Sequence, residues 1–137
     1  MKKNFSIKIA VLFLFVIVAF AGCQKDSSVT TSTAERDKFV GSWNCTTTGP
    51  LGPLTYTLTI TAGNSSPDQI ILRNFETSGY NSQIIATVSG SSFTMSTTQI
   101  GSDRYTGGGS IASNIISLTF SVDDGQNIEN RTGTAHK

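Results

Sequence analysis

The sequence predicts an all-β protein: one small antiparallel meander closing into a roughly eight-stranded barrel, preceded by a short helical turn. Three observations predict it. After Gly41 the apolar residues alternate with polar ones in steps of two, the period of strands with one buried face. Turn-forming residues interrupt these runs at hairpin spacing. About 100 residues arranged in this way make one domain with one core.

The chain opens with a segment that is not part of that domain. Lys2, Lys3 and Lys8 precede an apolar run from Ile9 to Ala21, which ends in Phe20-Ala21-Gly22-Cys23. These are the parts of a secretory signal. A membrane-spanning helix needs about 20 apolar residues, and this run is shorter. Small residues at Ala21 and Gly22, directly before a cysteine, suit the narrow cleft of a lipoprotein signal peptidase. Residues 1–22 are therefore expected to be a lipoprotein signal peptide, and Cys23 the lipidated first residue of the mature chain. A diacylglycerol thioether on Cys23 and an acyl chain such as palmitate on its amine would anchor the protein stably, at about 0.8 kcal/mol per buried methylene. Gln24, where an Asp holds Gram-negative lipoproteins at the inner membrane, points to the outer membrane, facing periplasm or surface.

Maturation changes the charge. Three of the ten Lys and Arg residues lie in the signal, so seven remain against nine Asp and Glu, a net of minus two. Arg36, Arg73, Arg104 and Arg131 are scattered singly. Nucleic acid is not expected as a partner, because binding a phosphate backbone needs clustered cations. With Cys23 carrying lipid, Cys45 has no cysteine left to pair with and reads as a small buried apolar residue.

Residues 23–33 are polar, with Val29 alone among Ser and Thr, and bury too little to offset their ordering entropy. They are expected to form a lipidated flexible tether, with the barrel domain over residues 34–137. Ser32-Thr33-Ala34-Glu35 has the spacing of a capping box. It predicts a helical turn from about Thr33 to Phe39, stopped by Gly41.

The strands follow. Trp43, Cys45 and Thr47 share one face of the first; Tyr56, Leu58 and Ile60 share a face of the second; Ile116, Leu118, Phe120 and Val122 share a face of a late one. Turn signals lie at Gly49 to Pro53, Gly63 to Pro67, Ser78-Gly79, Gly90-Ser91, Ser113-Asn114 and Asp124-Gly125. Gly107-Gly108-Gly109 is expected to be a bulge or sharp bend within a strand. Closure removes exposed edges, and a barrel of eight strands is just wide enough to be filled by side chains or to hold one small ligand. The inward residues include Trp43, Tyr56, Phe75, Phe93, Met95 and Phe120. A mostly filled interior is expected, with any pocket small and near one mouth.

The helical turn leading into Lys38-Phe39-Val40-Gly41-Ser42-Trp43 resembles the opening of the lipocalin or calycin group, where a Gly-x-Trp motif starts the first strand. The run from Glu35 onward is similar to small lipocalin-like lipoproteins of Gram-negative envelopes, although the chain is shorter than true lipocalins. The resemblance implies that Gly41 and Trp43 form a structural motif at the barrel's base. It also implies a late-strand arginine packed over the tryptophan, a position for which Arg131 is the candidate.

Little in the sequence points to catalysis. His136, one residue from the end, is the sole histidine, and the sequence has no His-Glu-x-x-His, Cys-x-x-Cys or phosphate-cradling glycine loop. Asp123-Asp124-Gly125 reads as a hairpin tip, since calcium loops space their carboxylates at alternate positions. Asp68, Glu76, Asp103 and Glu129 are isolated, so only the fold can bring two together. No enzyme activity, cofactor or metal is expected. The expected role is a membrane-anchored binding module for a small apolar or amphipathic ligand, lined by Tyr56, Phe93 and Phe120. The alternative is a structural or protein-interaction component of the envelope with no ligand pocket.

Overall fold

The computed structural model describes residues 27–137, with side chains from residue 32 onward. The expected signal 1–22 and the lipidation position Cys23 lie outside the described residues.

A helix, α1 (Ser27–Asp37), leads into the sheet. It starts six residues before the predicted turn and takes in residues 27–33 of the expected tether. Ser32 therefore lies within the helix and not at its cap. Glu35 is engaged elsewhere: its carboxylate accepts a hydrogen bond from the Gly90 backbone N–H at 3.0 Å, in the turn between β4 and β5. Serine and threonine are mediocre helix formers. Docking onto that turn supplies a tertiary contact that sequence spacing does not reveal.

Eight strands follow: β1 (Gly41–Gly49), β2 (Gly52–Ala62), β3 (Gln69–Arg73), β4 (Gln83–Ser89), β5 (Ser92–Ile100), β6 (Asp103–Ala112), β7 (Ile115–Asp123) and β8 (Ile128–His136). Each pairs antiparallel with the next, and β8 returns to β1 with Cys45 opposite Ala135 and Thr47 opposite Gly133, closing the barrel. Inward positions follow the predicted period. Trp43, Cys45 and Thr47 are buried on β1, Tyr56, Leu58 and Ile60 on β2, and Ile116, Leu118, Phe120 and Val122 on β7.

All six predicted turns fall between strands or in the long β3–β4 connection. A seventh turn lies at Gly101-Ser102 between β5 and β6, outside the predicted set, although it carries the same Gly-Ser pair as Gly90-Ser91. The three glycines lie on β6 opposite residues 93–95 of β5, next to a bulge between Met95 and Thr98. A Cβ on Gly107 would come 2.4 Å from the Thr119 carbonyl oxygen, and one on Gly108 would come 2.3 Å from that of Phe93. Glycine is what lets three strands crowd at this bend.

The barrel's two ends differ. At one end α1 and Phe39 close the base. Phe39 meets Phe93 edge-on at 5.3 Å, and its carbonyl accepts the Trp43 indole N–H at 2.8 Å. The cation over Trp43 is Lys137, whose Nζ lies 4.6 Å from the ring centroid and donates to the Val40 carbonyl at 3.1 Å. Arg131 does not take this place. It lies six residues earlier on β8, about 20 Å away along a strand, at the other end. That end is the mouth, formed by the β1–β2, β3–β4, β5–β6 and β7–β8 connections.

Candidate functional site

At the mouth a loop joins the barrel's own strands in filling the interior. The β3–β4 connection turns back on itself after Arg73 in a 3-10 turn, Phe75–Thr77. Asn74 starts the turn at φ 56° and is held at both ends of its amide: Nδ2 donates to the Thr57 carbonyl at 2.9 Å, and Oδ1 accepts from the Gly79 N–H at 3.1 Å. Asparagine tolerates this left-handed backbone. Glu76 (φ 53°) and Thr77 (φ 62°) adopt it too. For such residues the cost is about 1–2 kcal/mol each, and a β-branched threonine there is unusual.

Insertion of Phe75 offsets that cost. Its ring is fully buried, edge-on to Phe120 at 4.8 Å, Tyr105 at 5.9 Å and Tyr56 at 6.4 Å. Burying a ring of this size contributes about 1.5–3 kcal/mol, and each edge-to-face pair adds about 0.5–1.5 kcal/mol. The three surrounding rings come from β2, β6 and β7, so the box belongs to the barrel wall.

Glu76 follows Phe75 inward, its side chain only 3% exposed. One carboxylate oxygen accepts from the Thr47 hydroxyl and the other from Arg131 Nη1. Arg131 holds Glu129 with the rest of its fork, Nη2 at 2.6 Å and Nε at 3.3 Å. Two carboxylates isolated in sequence thus meet on one guanidinium, the geometry that a planar fork of donors favours. Partial burial works against the cation, but Glu129 and Glu76 outweigh it and hold the Arg131 pKa above its ordinary value. Arg131 packs closely against Gly49; a Cβ there would come 3.0 Å from Nε.

Beneath Glu76, the Tyr56 hydroxyl is buried and makes no well-formed hydrogen bond, with only the Cys45 thiol and the Glu76 backbone bearing on it. Its proton is held far more tightly than usual, first by burial and then by the neighbouring Cys45 and Glu76. The Cys45 thiol beside it is a weak hydrogen-bonding group, and burial pushes its own pKa up as well. Cys45 is a core residue, as its sequence context predicts. A buried hydroxyl left unpaired costs about 1–3 kcal/mol.

A cleft of about 210 Å³ opens at the mouth, lined by Leu51, Asp103, Val122, Asp124, Glu129 and Arg131. Asp124 is committed to its turn, where the N–H groups of Asn127 and Gln126 donate to it at 2.6 and 2.8 Å and lower its pKa. That is the hairpin tip expected of Asp123-Asp124-Gly125. A shallow groove of about 380 Å³ on the outer wall, over Gly133, is bordered by uncharged residues such as Thr46, Thr119 and Thr134.

The three predicted lining residues separate. Tyr56 and Phe120 lie together in the box around Phe75, whereas Phe93 packs at the closed end against Phe39. All three are buried in the core, and none lines the mouth cleft or the outer groove. The expected filled interior with a small pocket near one mouth matches what is seen. Phe75 appeared in the sequence only as one inward apolar residue, and the partners of Glu76 were invisible there.

Among solved structures the chain is similar to a redesigned β-barrel, with a TM-score of 0.50 and 17% sequence identity, covering 75% of this chain and 94% of that one. At that identity the likeness concerns the fold alone. No protein-family model and no curated protein matches the chain.

Proposed function

We propose that the chain is a non-enzymatic binding protein of the cell envelope, held at the outer membrane by lipid on Cys23, that takes a small apolar or amphipathic molecule at its barrel mouth. One observation carries this reading: a loop inserts Phe75 among the strand side chains of the mouth-end interior, beside an open cleft lined in part by Arg131. The lipocalin-like character proposed here rests on Gly41 and Trp43 at the closed base and on the overall arrangement. The helix α1 docks at the closed end, opposite the mouth.

Native mass spectrometry of the full lipoprotein, extracted in mild detergent, tests the proposal. It expects a mature chain beginning at a lipidated Cys23 and carrying one further small molecule. A bare lipidated chain from every preparation overturns the ligand reading, and an unmodified Cys23 overturns the anchor.

A second reading, a protein-interaction component without a pocket, has its own support. The three most exposed large apolar side chains among the described residues, Leu51 (92%), Ile128 (69%) and Tyr80 (56%), all lie on mouth-end connections or strand starts. Photo-crosslinking from position 51 in cells tests it, and the absence of any crosslinked protein counts against it.

A further inference from the structure

At the mouth the chain occupies its own barrel with two adjacent residues, and together they carry the chemistry of a small molecule: a ring and a carboxylate. We propose that Phe75-Glu76 is a tethered stand-in for a ligand, and that the site beneath takes a small aromatic or apolar monocarboxylate once the loop swings out. The ring of such a ligand sits among Tyr56, Tyr105 and Phe120, and its carboxylate on Arg131 and Thr47. The inference rests on the small-ligand reading above and adds the ligand's class and the part that must move.

Every group that would hold the ligand belongs to a strand. Tyr56, Tyr105 and Phe120 come from β2, β6 and β7, Thr47 from β1 and Arg131 from β8. The site therefore persists when the loop leaves. Arg131 stays oriented by Glu129 through Nε and Nη2, which keeps Nη1 aimed at the position of the Glu76 carboxylate. Exchange of one carboxylate for another leaves the charge of the site unchanged. An amine in the same place would face a guanidinium of like charge, and a neutral amide would leave Arg131 and Thr47 with a weaker acceptor.

Two features favour displacement. Closure of the loop requires left-handed backbone at Glu76 and Thr77, which opening relieves. The buried Tyr56 hydroxyl also makes no well-formed hydrogen bond in the closed state, with only the Cys45 thiol and the Glu76 backbone bearing on it, and a ligand with a polar substituent on its ring can offer it a better partner. Entry is through the cleft beside Arg131, whose Leu51 and Val122 offer apolar contact on the way in.

The test is titration of the full-length lipidated chain in nanodiscs with 3-phenylpropanoate, followed by the amide shifts of residues 74–79, alongside 3-phenylpropanamide and phenethylamine. A built-in competitor reduces apparent affinity by the fraction of open molecules. Phe75→Ala is therefore expected to bind the acid at least tenfold more tightly than the parent chain, and the amide and amine at least tenfold more weakly than the acid. Adding Arg131→Met to Phe75→Ala is expected to reverse the gain. Thr77→Gly relaxes the closed loop, and is expected to weaken binding several-fold while the fold is kept; it decides the matter if Phe75→Ala does not fold. Equal binding of acid and amide, or indifference to Arg131→Met, overturns the carboxylate site but leaves the small-ligand reading standing. Absence of acid binding in all variants, with a different molecule found by native mass spectrometry, does the same. Absence of acid binding together with a bare chain mass overturns both.

Discussion

Replacing Phe75 with alanine separates a plug from an ordinary core residue when it is compared with Phe39→Ala at the opposite end. Both rings are fully buried and both make edge-on aromatic contacts. A buried Phe→Ala change typically costs about 3–5 kcal/mol, and Phe39→Ala is expected to cost that amount, because its backbone stores no strain to be recovered. Phe75→Ala removes the anchor of a loop that holds Glu76 and Thr77 in left-handed backbone at about 1–2 kcal/mol each. When the loop springs out, much of that is recovered, so the net cost falls to about 1–3 kcal/mol. Urea unfolding followed by Trp43 fluorescence measures both, since Trp43 sits at the closed base and reports on the barrel in either variant. Native-state hydrogen exchange supplies the second readout: the Ser78 N–H, which donates to the Phe75 carbonyl, is expected to lose its protection in Phe75→Ala while amides of β1 and β8 keep theirs. A cost for Phe75→Ala equal to or above that of Phe39→Ala, with the loop amides still protected, refutes the argument that the loop is a strained insert.

Three further outcomes follow from the same geometry. Arg131→Met leaves the Glu76 carboxylate buried with Thr47 alone and is expected to destabilise the fold by about 2–4 kcal/mol in urea unfolding, discounted from the range for fully buried pairs because Arg131 retains some exposure; adding Glu76→Gln is expected to restore part of the loss, and strict additivity of the two would refute the pairing. Cys45 and Tyr56 both have pKa values raised by burial, so the folded state holds their protons more tightly than the unfolded chain does. Their stabilisation is complete below the ordinary cysteine value of 9.0 and declines as pH rises beyond it; an unfolding midpoint that stays level or rises from pH 8.5 to 10.5 in Lys-matched controls would contradict this. Lys137→Ala removes the cation over Trp43 and is expected to cost about 0.5–1 kcal/mol and shift the indole emission, whereas Arg131→Met leaves that emission unchanged.

Much of the barrel was legible because strand burial is written locally. The alternation of Trp43, Cys45 and Thr47, or of Ile116, Leu118, Phe120 and Val122, assigns each side chain a face without reference to any other strand. Turns at Asn114 and Gly125 are likewise written in residues that accept positive φ. The α1 start was misplaced because a Ser/Thr run carries no strong preference of its own, so the Glu35 contact with Gly90, 55 residues away, had no local trace. The cation on Trp43 was assigned to the wrong residue for a related reason. Position along a strand sets which end of a barrel a side chain reaches, and that depends on the register of β8 against β1.

The sequence by itself determined the strand periodicity, six of the seven turn positions, the burial of Cys45 and the expectation of a filled interior with little room near one mouth. Those properties follow from neighbours one or two residues apart. Only the tertiary structure decided which end is closed, that Phe93 lies apart from Tyr56 and Phe120, and that Glu76 and Glu129 converge on Arg131. The contacts that decide these points span up to 97 residues of chain. They come about through barrel closure and one inserted loop, and neither leaves a periodic mark in the sequence.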